Sequence, residues 1–469
     1  MGGTMKTDKE LAKIRLEFKR CKIWDKRCIK SLMKISINLI NNLGQSFSSA
    51  CGKCLRQCGS RIFSDNRMTV EKIQAGHLEE TLKRIKKEKV LLIPQDTTFV
   101  DYTSHRSTEG LGHIGSTGKN YGLAVHTSMI ISEEGLSFGI LNQKIWTRDP
   151  ATFGKKHQRK DKPIEEKESS KWLDPIDIID KKIPLDKHEI WIIGDRESDI
   201  YEYMIKPRHK NCHLLIRACQ SRNMYKSEGD TPTSLFSYIE TLAIQANRQV
   251  EISRENRTET IDLVVSYDNI NILRSKSSKS KPESVRMGVV YARELEERKD
   301  TKGKVKDAIK WVLLVDKHIE DIQTAIKYLD YYTQRWKIER FHYTLKQGMK
   351  IEKLQFDDAK TLSNVIAFYS VLAWFTQWIT YIGRVKPNMP AKEVTDELSI
   401  EVLTAFMKKK INSAYEVMIA IGVLGGFIGG SKRYPYPGLK SMWQGITKLF
   451  FLKQGWLLAK SQLSDIYAT

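Results

Sequence analysis

Acid is what this chain lacks most: 56 Asp and Glu stand against 78 Lys and Arg in 469 residues, a formal net charge of +22. That deficit favours polyanions as partners, because neutralising phosphates releases their counterions; nucleic acid comes first and an anionic membrane surface second. Cysteine is scarce as well, with an odd count of seven. The opening "MGGTMKTDKELAKIRLEF" is polar and charged and has no export-signal pattern, so secretion is disfavoured and a reducing cytoplasm is expected. Zinc-finger spacing is also missing. "CGKCLRQC", residues 51–58, holds half of such a site, but no second CxxC or HxxxH follows at the required distance. Its 0, 3, 7 spacing also makes one helix face, which reads as buried thiols. Long apolar runs are nearly absent. Only "VIAFYSVLAWFTQWITYIG", residues 365–383, approaches the roughly 20 apolar residues that span a bilayer. It is punctuated by Ser370, Thr376, Gln377 and Thr380 and has no companion, so a buried core helix is expected.

What is present divides the chain. Its 469 residues exceed one core, so two to three domains are expected, and 41% hydrophobic content suffices to fold them. Ile29, Leu32, Met33, Ile40 and Leu43 recur at helical spacing, Gly44 supplies a stop, and residues 69–87 repeat the pattern. With the surrounding Lys and Arg they define a small basic helical domain over residues 1–75. Period-two runs over 90–102, 121–132 and 135–148 then read as three strands, the last two joined by a hairpin turn at "EEG". A charge-rich, solvated loop "KKHQRKDKPIEEKESS" (155–170) follows. After it come a short helical stretch, a fourth strand over 189–199, a helix near 200–205 and a fifth strand over 213–221. This order is that of the ribonuclease-H-like sheet, a mixed α/β fold. Residues 246–315 interrupt it with alternating runs and the linker "SKSSKSKPES", which reads as an all-β insertion. The α/β core thus spans 76–386, and a last basic helical region spans 387–469.

Two strands end on an aspartate, Asp96 in "LLIPQDTT" and Asp195 in "WIIGDRES". Neighbouring strand ends would bring both within reach of shared cations. Carboxylates are the hard ligands that Mg²⁺ and Mn²⁺ prefer, and such ions beside a phosphodiester activate a nucleophile and stabilise the leaving oxygen. Glu339 is the candidate third ligand. In "YYTQRWKIERFHYTLKQGMK", residues 331–350, Tyr332, Arg335, Glu339 and Lys346 stand at steps of three, four and seven. At about 100° per residue they share a sector roughly 60° wide. A plainer reading competes: an Arg335–Glu339 pair at i, i+4 on a solvated helix, worth a few tenths of a kcal/mol. Pro94 is awkward in a central strand, because it removes a ladder hydrogen bond two residues before Asp96.

This stretch resembles the YREK signature, Y-(2)-R-(3)-E-(6)-K, of bacterial cut-and-paste DDE transposases. "DTT" at Asp96 and "DRESDI" at Asp195 resemble that family's first and second catalytic aspartate motifs. The likeness extends over nearly the whole chain, through "EKESSKWL" and, near the C-terminus, "LGGFIGGSKR" and "MWQGITKLFFLKQGWLL". It implies a ribonuclease-H-like catalytic core with an all-β insertion, flanked by a helical N-terminal DNA-binding domain and a helical C-terminal dimerisation domain. It further implies that Asp96, Asp195 and Glu339 hold two Mg²⁺ or Mn²⁺ ions, and that Tyr332, Arg335 and Lys346 grip phosphates of the transposon end. Arg217 in "LLIRACQS" would bind a phosphate, its alternative being a sheet-edge arginine. Trp311, at the start of "WVLLVDKHI", would stack on a flipped base, a contact worth roughly 1–3 kcal/mol, its alternative being a core residue.

The implied partners are double-stranded DNA, as transposon ends and as target, and a second copy of the chain in a synaptic homodimer; no membrane partner is implied. The N-terminal helices, with Lys26, Arg27, Lys30, Arg56 and Arg61, would read the terminal repeats. The implied setting is the bacterial cytoplasm, at the nucleoid. The glycine-rich stretch 112–122 lacks phosphate-loop spacing and reads as a flexible loop at the rim of the site. Besides an active transposase, two readings stay open: an inactive DNA-end binder that represses transposition through mixed dimers, and a nuclease on the same sheet that cuts without joining.

Overall fold

The computed structural model describes all residues except 1–11, 116, 153, 155–161, 255–256, 276–279, 296–297, 300–304, 307, 431–434 and 467–469. Parts of the charged loop at 155–170, of the linker at 275–284 and of "LGGFIGGSKR" therefore lie outside the described residues. The chain begins with five helices: α1 (Ala12–Lys19), α2 (Lys26–Asn41), α3 (Phe47–Ala50), α4 (Lys53–Ser64) and α5 (Val70–Arg84). Asp25 and Thr69 start α2 and α5 by accepting from the amides of Arg27 and Lys72, which satisfies donors that a helix start leaves bare.

A twelve-stranded mixed sheet follows. Its core is β1 (Val90–Asp101), β2 (Gly112–Ile114), β3 (Asn120–Ile131), β4 (Ser137–Trp146), β5 (Glu189–Gly194) and β6 (Cys212–Arg217), with α6 (Asp174–Lys182) and α7 (Tyr201–Ile205) in the connections. β3 lies antiparallel to β1, while β1, β5 and β6 run parallel, the expected ribonuclease-H-like arrangement. β5 and the first half of β1, Leu91 to Gln95, are buried on both faces, which explains their near-continuous apolar runs. Pro94 fits because β1 changes partners there. Its ladder to β5 runs to Pro94, and its pairing to β3 is continuous only from Gln95 onward, in one unbroken register.

The strands expected as an insertion lie in the same sheet as the core. After β7 (Asn223–Tyr225), β8 (Thr233–Ser234) and α8 (Leu235–Ile239) come β9 (Ala246–Arg254), β10 (Arg257–Leu273) and β11 (Ser284–Arg293). A small ribbon of β12 (Arg298–Lys299) and β13 (Val305–Lys306) precedes β14 (Lys310–Val315). β14 pairs with β6 on one side and β11 on the other, so the insertion extends the core sheet in the order β6–β14–β11–β10. Alternation along each strand was visible in the sequence; the partner of an edge strand was not.

Two expectations are corrected. The glycine-rich stretch is a ribbon, not a loose loop: β2 pairs with residues 120–122, and a side chain at Gly122 would meet the Val100 carbonyl at 1.9 Å. The three cysteines of 51–58 do not share a buried helix face. α4 begins only at Lys53, leaving Cys51 buried ahead of it, Cys54 exposed and Cys58 half-buried.

The remaining helices are α9 (Ile322–Thr333), α10 (Trp336–Tyr343), α11 (Ala359–Val385), α12 (Ala391–Val394), α13 (Glu397–Met407), α14 (Ala414–Leu424) and α15 (Leu439–Ile466). Two cores flank the sheet. One joins Leu92, Trp191 and Leu313 to α1, α2, α9, α10 and most of α11; the other joins Ile93, Ile192 and Leu314 to α6, α13 and α14. α11 is the one helix among the described residues long and apolar enough to cross a membrane, and 94% of its apolar window is buried inside the protein. Phe18 of α1 stacks on Phe368 of α11 at 4.5 Å, which docks the N-terminal helices on that core.

Candidate active site

Register sets the site. The last parallel pairs are Pro94–Ile193 and Gly194–Ile216. Carried forward, the same registers bring Asp96 level with Asp195, and Asp195 level with Arg217. Asp195 then caps a short turn, Arg196–Ser198, and accepts from the Glu197 amide at 2.8 Å.

The two carboxylates lie in opposite electrostatic states. Burial pushes Asp96 up, but a hydrogen bond and charge from His342, with the Arg335 guanidinium nearby, outweigh it and hold Asp96 below the usual carboxylate range. Asp195 is raised, first by burial and then by the charge of Asp96. Two carboxylates that repel one another at a sheet end are a donor set that a divalent cation would satisfy.

The signature segment does not form one straight helix. α9 stops at Thr333 and α10 starts at Trp336; Arg335 donates its amide to Tyr332 at 3.0 Å, a tightened i→i−3 turn. A π-helical turn, Thr344–Gly348, then carries Lys346. The single-face geometry of a regular helix is therefore replaced by three short segments wrapped over the strand ends. Tyr332 is buried, packs edge-on against Trp311 at 5.3 Å and lies beside Arg217, whose Nη2 donates to the Lys310 carbonyl at 3.1 Å. Arg335 lies 5.9 Å from the Tyr332 ring and ion-pairs with the half-exposed Glu339. Lys346 donates to the Phe99 carbonyl at 2.9 Å and pairs with Glu352 at 2.9 Å.

Asp96, Asp195, Arg217, Trp311, Tyr332 and Arg335 are thus gathered at one end of the sheet, with Lys346 three residues farther along β1. Glu339 is on the same wall but turned to Arg335. Consistent with this, no three Asp, Glu, His or Cys side chains among the described residues group as metal ligands. The Asp96–Asp195 pair fits a divalent ion; Glu339 would complete the set only after leaving Arg335.

Sequence reading missed two residues here. His342 sets its Nδ1 3.4 Å from Asp96 Oδ2. Its one signal was the i, i+3 spacing from Glu339, which puts both on one side of α10. Asp199, fully buried, accepts from the amides of Cys219 and Gln220 at 2.8 Å each and from Arg222 at 2.9 Å. It thereby ties the turn after Asp195 to the segment after Arg217. The second aspartate of "DRESD" was its signal.

A mixed sheet carries a carboxylate pair where β1 and β5 part, roofed by cations and aromatics, a setting suited to an anionic substrate. Residues 170–370 match the family model described as transposase DDE domain. That span includes Asp195, Arg217, Trp311, Tyr332, Arg335, Glu339 and Lys346, while Asp96 precedes it. That stretch is therefore similar to a transposase domain of the DDE class, whose activity is DNA recombination by transposition.

Proposed function

We propose that the protein is a cut-and-paste transposase of an insertion sequence, similar to the transposase of the composite kanamycin-resistance transposon. It binds terminal inverted repeats, cleaves them by hydrolysis and hairpin formation, and joins the 3′ ends to target DNA. The observation that carries this reading is the β1–β5 ladder up to Pro94–Ile193, which carried forward brings Asp195, one residue past β5, level with Asp96 beneath the segment that bears Arg335 and Glu339.

Asp96 and Asp195, joined by Glu339, would hold two Mg²⁺ or Mn²⁺ ions. Bound there, such ions neutralise charge on attacking and leaving phosphate oxygens. Arg335 and Lys346 exchange their carboxylate partners for DNA phosphates, and that exchange frees Glu339 to turn toward the aspartates. Tyr332 and Arg217 brace the strand beside the scissile bond, and Trp311 offers a ring edge-packed on Tyr332 for an extruded base. Lys26, Arg27, Lys30, Arg56 and Arg61 are exposed on α2 and α4 and supply the repeat-reading face. Two protomers pair through the C-terminal helices around two ends. The working place is the bacterial cytoplasm, on nucleoid DNA.

The test is incubation of the purified chain with Mg²⁺ and DNA bearing the element's own ends. Hairpin-ended fragments followed by joined products are expected. End binding with no cleavage would support a repressor instead, and cleavage without joining a simple nuclease.

A further inference from the structure

We propose that His342 is the positioning residue for Asp96, its ring fixed by a buried hydrogen-bond chain so that Nδ1 donates to one carboxylate oxygen and leaves the other for the ion site. The inference rests on the reading of Asp96 as a metal ligand.

The direction of the chain follows from a group that can only accept. The Ala367 carbonyl, on α11, takes a hydrogen bond from Gln74 Nε2 at 3.2 Å, which fixes how the Gln74 amide is turned. The same nitrogen donates to Gln143 Oε1 at 2.9 Å, so Gln143 must present Nε2 to its other side, where it donates to Thr127 Oγ1 at 3.0 Å. The Thr127 hydroxyl keeps its own hydrogen and a second lone pair for His342 Nε2 at 3.4 Å, so it fixes the ring without setting the tautomer. The tautomer is set at the other nitrogen, where the ionised Asp96 can only accept: the proton sits on Nδ1, facing Oδ2 at 3.4 Å. Gln74, Thr127, Gln143 and His342 are all buried, so water does not compete with any link.

The chain crosses four elements. Gln74 lies on α5, Gln143 on β4, Thr127 on β3 directly opposite Asp96 in the β1–β3 ladder, and His342 on α10. A carboxylate rotates about its own χ angles unless one oxygen is held. With Oδ2 held, Oδ1 is left for the ion site. Partners of this kind, one step behind a metal ligand, typically change metal affinity or rate 10–100-fold when removed.

The test uses the full chain. In ¹⁵N-histidine spectra, His342 is expected as the Nδ1-protonated tautomer, its signal moving in Asp96→Asn. An Nε2-protonated ring would overturn the proposal. His342→Gln is expected to keep the wild-type melting temperature within a few degrees and its DNA-end binding, and to lose about 10–100-fold in calorimetric Mn²⁺ affinity and in cleavage rate. Thr127→Val, which removes the hydroxyl that steadies Nε2, is expected to lose less in the same two readouts; it decides the matter if His342→Gln does not fold. If Asp96→Asn binds Mn²⁺ and cuts DNA like the wild type, the reading of function falls and this proposal with it. If Asp96→Asn is inert while His342→Gln matches the wild type in both readouts, only the positioning role falls.

Discussion

Asp195 carries the least comfortable charge at the sheet end. Folding raises its pKa, through burial and through Asp96, so the folded state favours the protonated acid. The resulting cost to stability grows as pH rises through the ordinary carboxylate range and is complete above the folded pKa. At neutral pH without divalent ions, Asp195→Asn should therefore melt above the wild type. Mg²⁺ should reverse that order, because only the wild type gains binding free energy, about 2.7 kcal/mol at a hundred times Kd. Thermal melts with and without Mg²⁺ check both signs. The acidic residues were legible because each interrupts an apolar run or a helical pattern, although β1 in fact continues past Asp96 to Asp101. His342 was not, because one histidine among Phe341, Tyr343 and Leu345 looks like any core residue until its neighbours across the sheet are known.

Elements reached the page unevenly. β1, β3, β5 and β6 were readable from apolar runs bounded by turn residues, and α11 from its length. β7 and β8 were not, being three and two residues long. The break between α9 and α10 was hidden because a tightened turn leaves apolar periodicity almost unchanged, and the π turn at Thr344–Gly348 for the same reason. Between β5 and β6, the coupling that matters is the buried Asp199. Asp199→Ala would leave the Arg222 side chain, itself 8% exposed, without its anion. Breaking a buried pair on one side costs about 3–5 kcal/mol, and urea unfolding should register that loss. The two tied segments, which follow Asp195 and Arg217, should then lose amide-exchange protection together, and unchanged protection would argue against the tie.

At the scale of the whole molecule, the N-terminal helices are seated on the core by a buried cluster. Glu17 of α1 meets His77 of α5 at 2.5 Å and Arg84 at 2.7 Å, with His77 also 4.7 Å from the Trp374 ring. Burial depresses His77, against the pull of Glu17, while Arg84 and Glu80 are the other charges that face it. Glu17 is lowered because His77 and Arg84 together outweigh its burial. Both shifts work in one direction. An unfolded histidine takes a proton near pH 6.5, which the folded ring resists, so seating weakens as pH falls below about 6 and weakens further as Glu17 protonates. Trp374 fluorescence should change in that window, ahead of global unfolding, and should not in His77→Gln. The net charge of +22 belongs to this scale too. Binding to DNA should fall by about 10³–10⁵ between 50 and 200 mM salt if six to ten phosphates are contacted. Charge was readable from composition alone. That the N-terminal helices share a core with α11, and that the insertion lengthens the central sheet, depended on contacts between residues hundreds of positions apart.

The central claim is that Asp96 and Asp195 together hold divalent ions against DNA. Anomalous scattering from Mn²⁺ in crystals of the protein bound to its DNA end tests it most directly. A peak bridging the two aspartates, with Glu339 swung from Arg335 toward it, is the predicted result; a DNA-bound, Mn²⁺-soaked crystal with no density at either aspartate would contradict it.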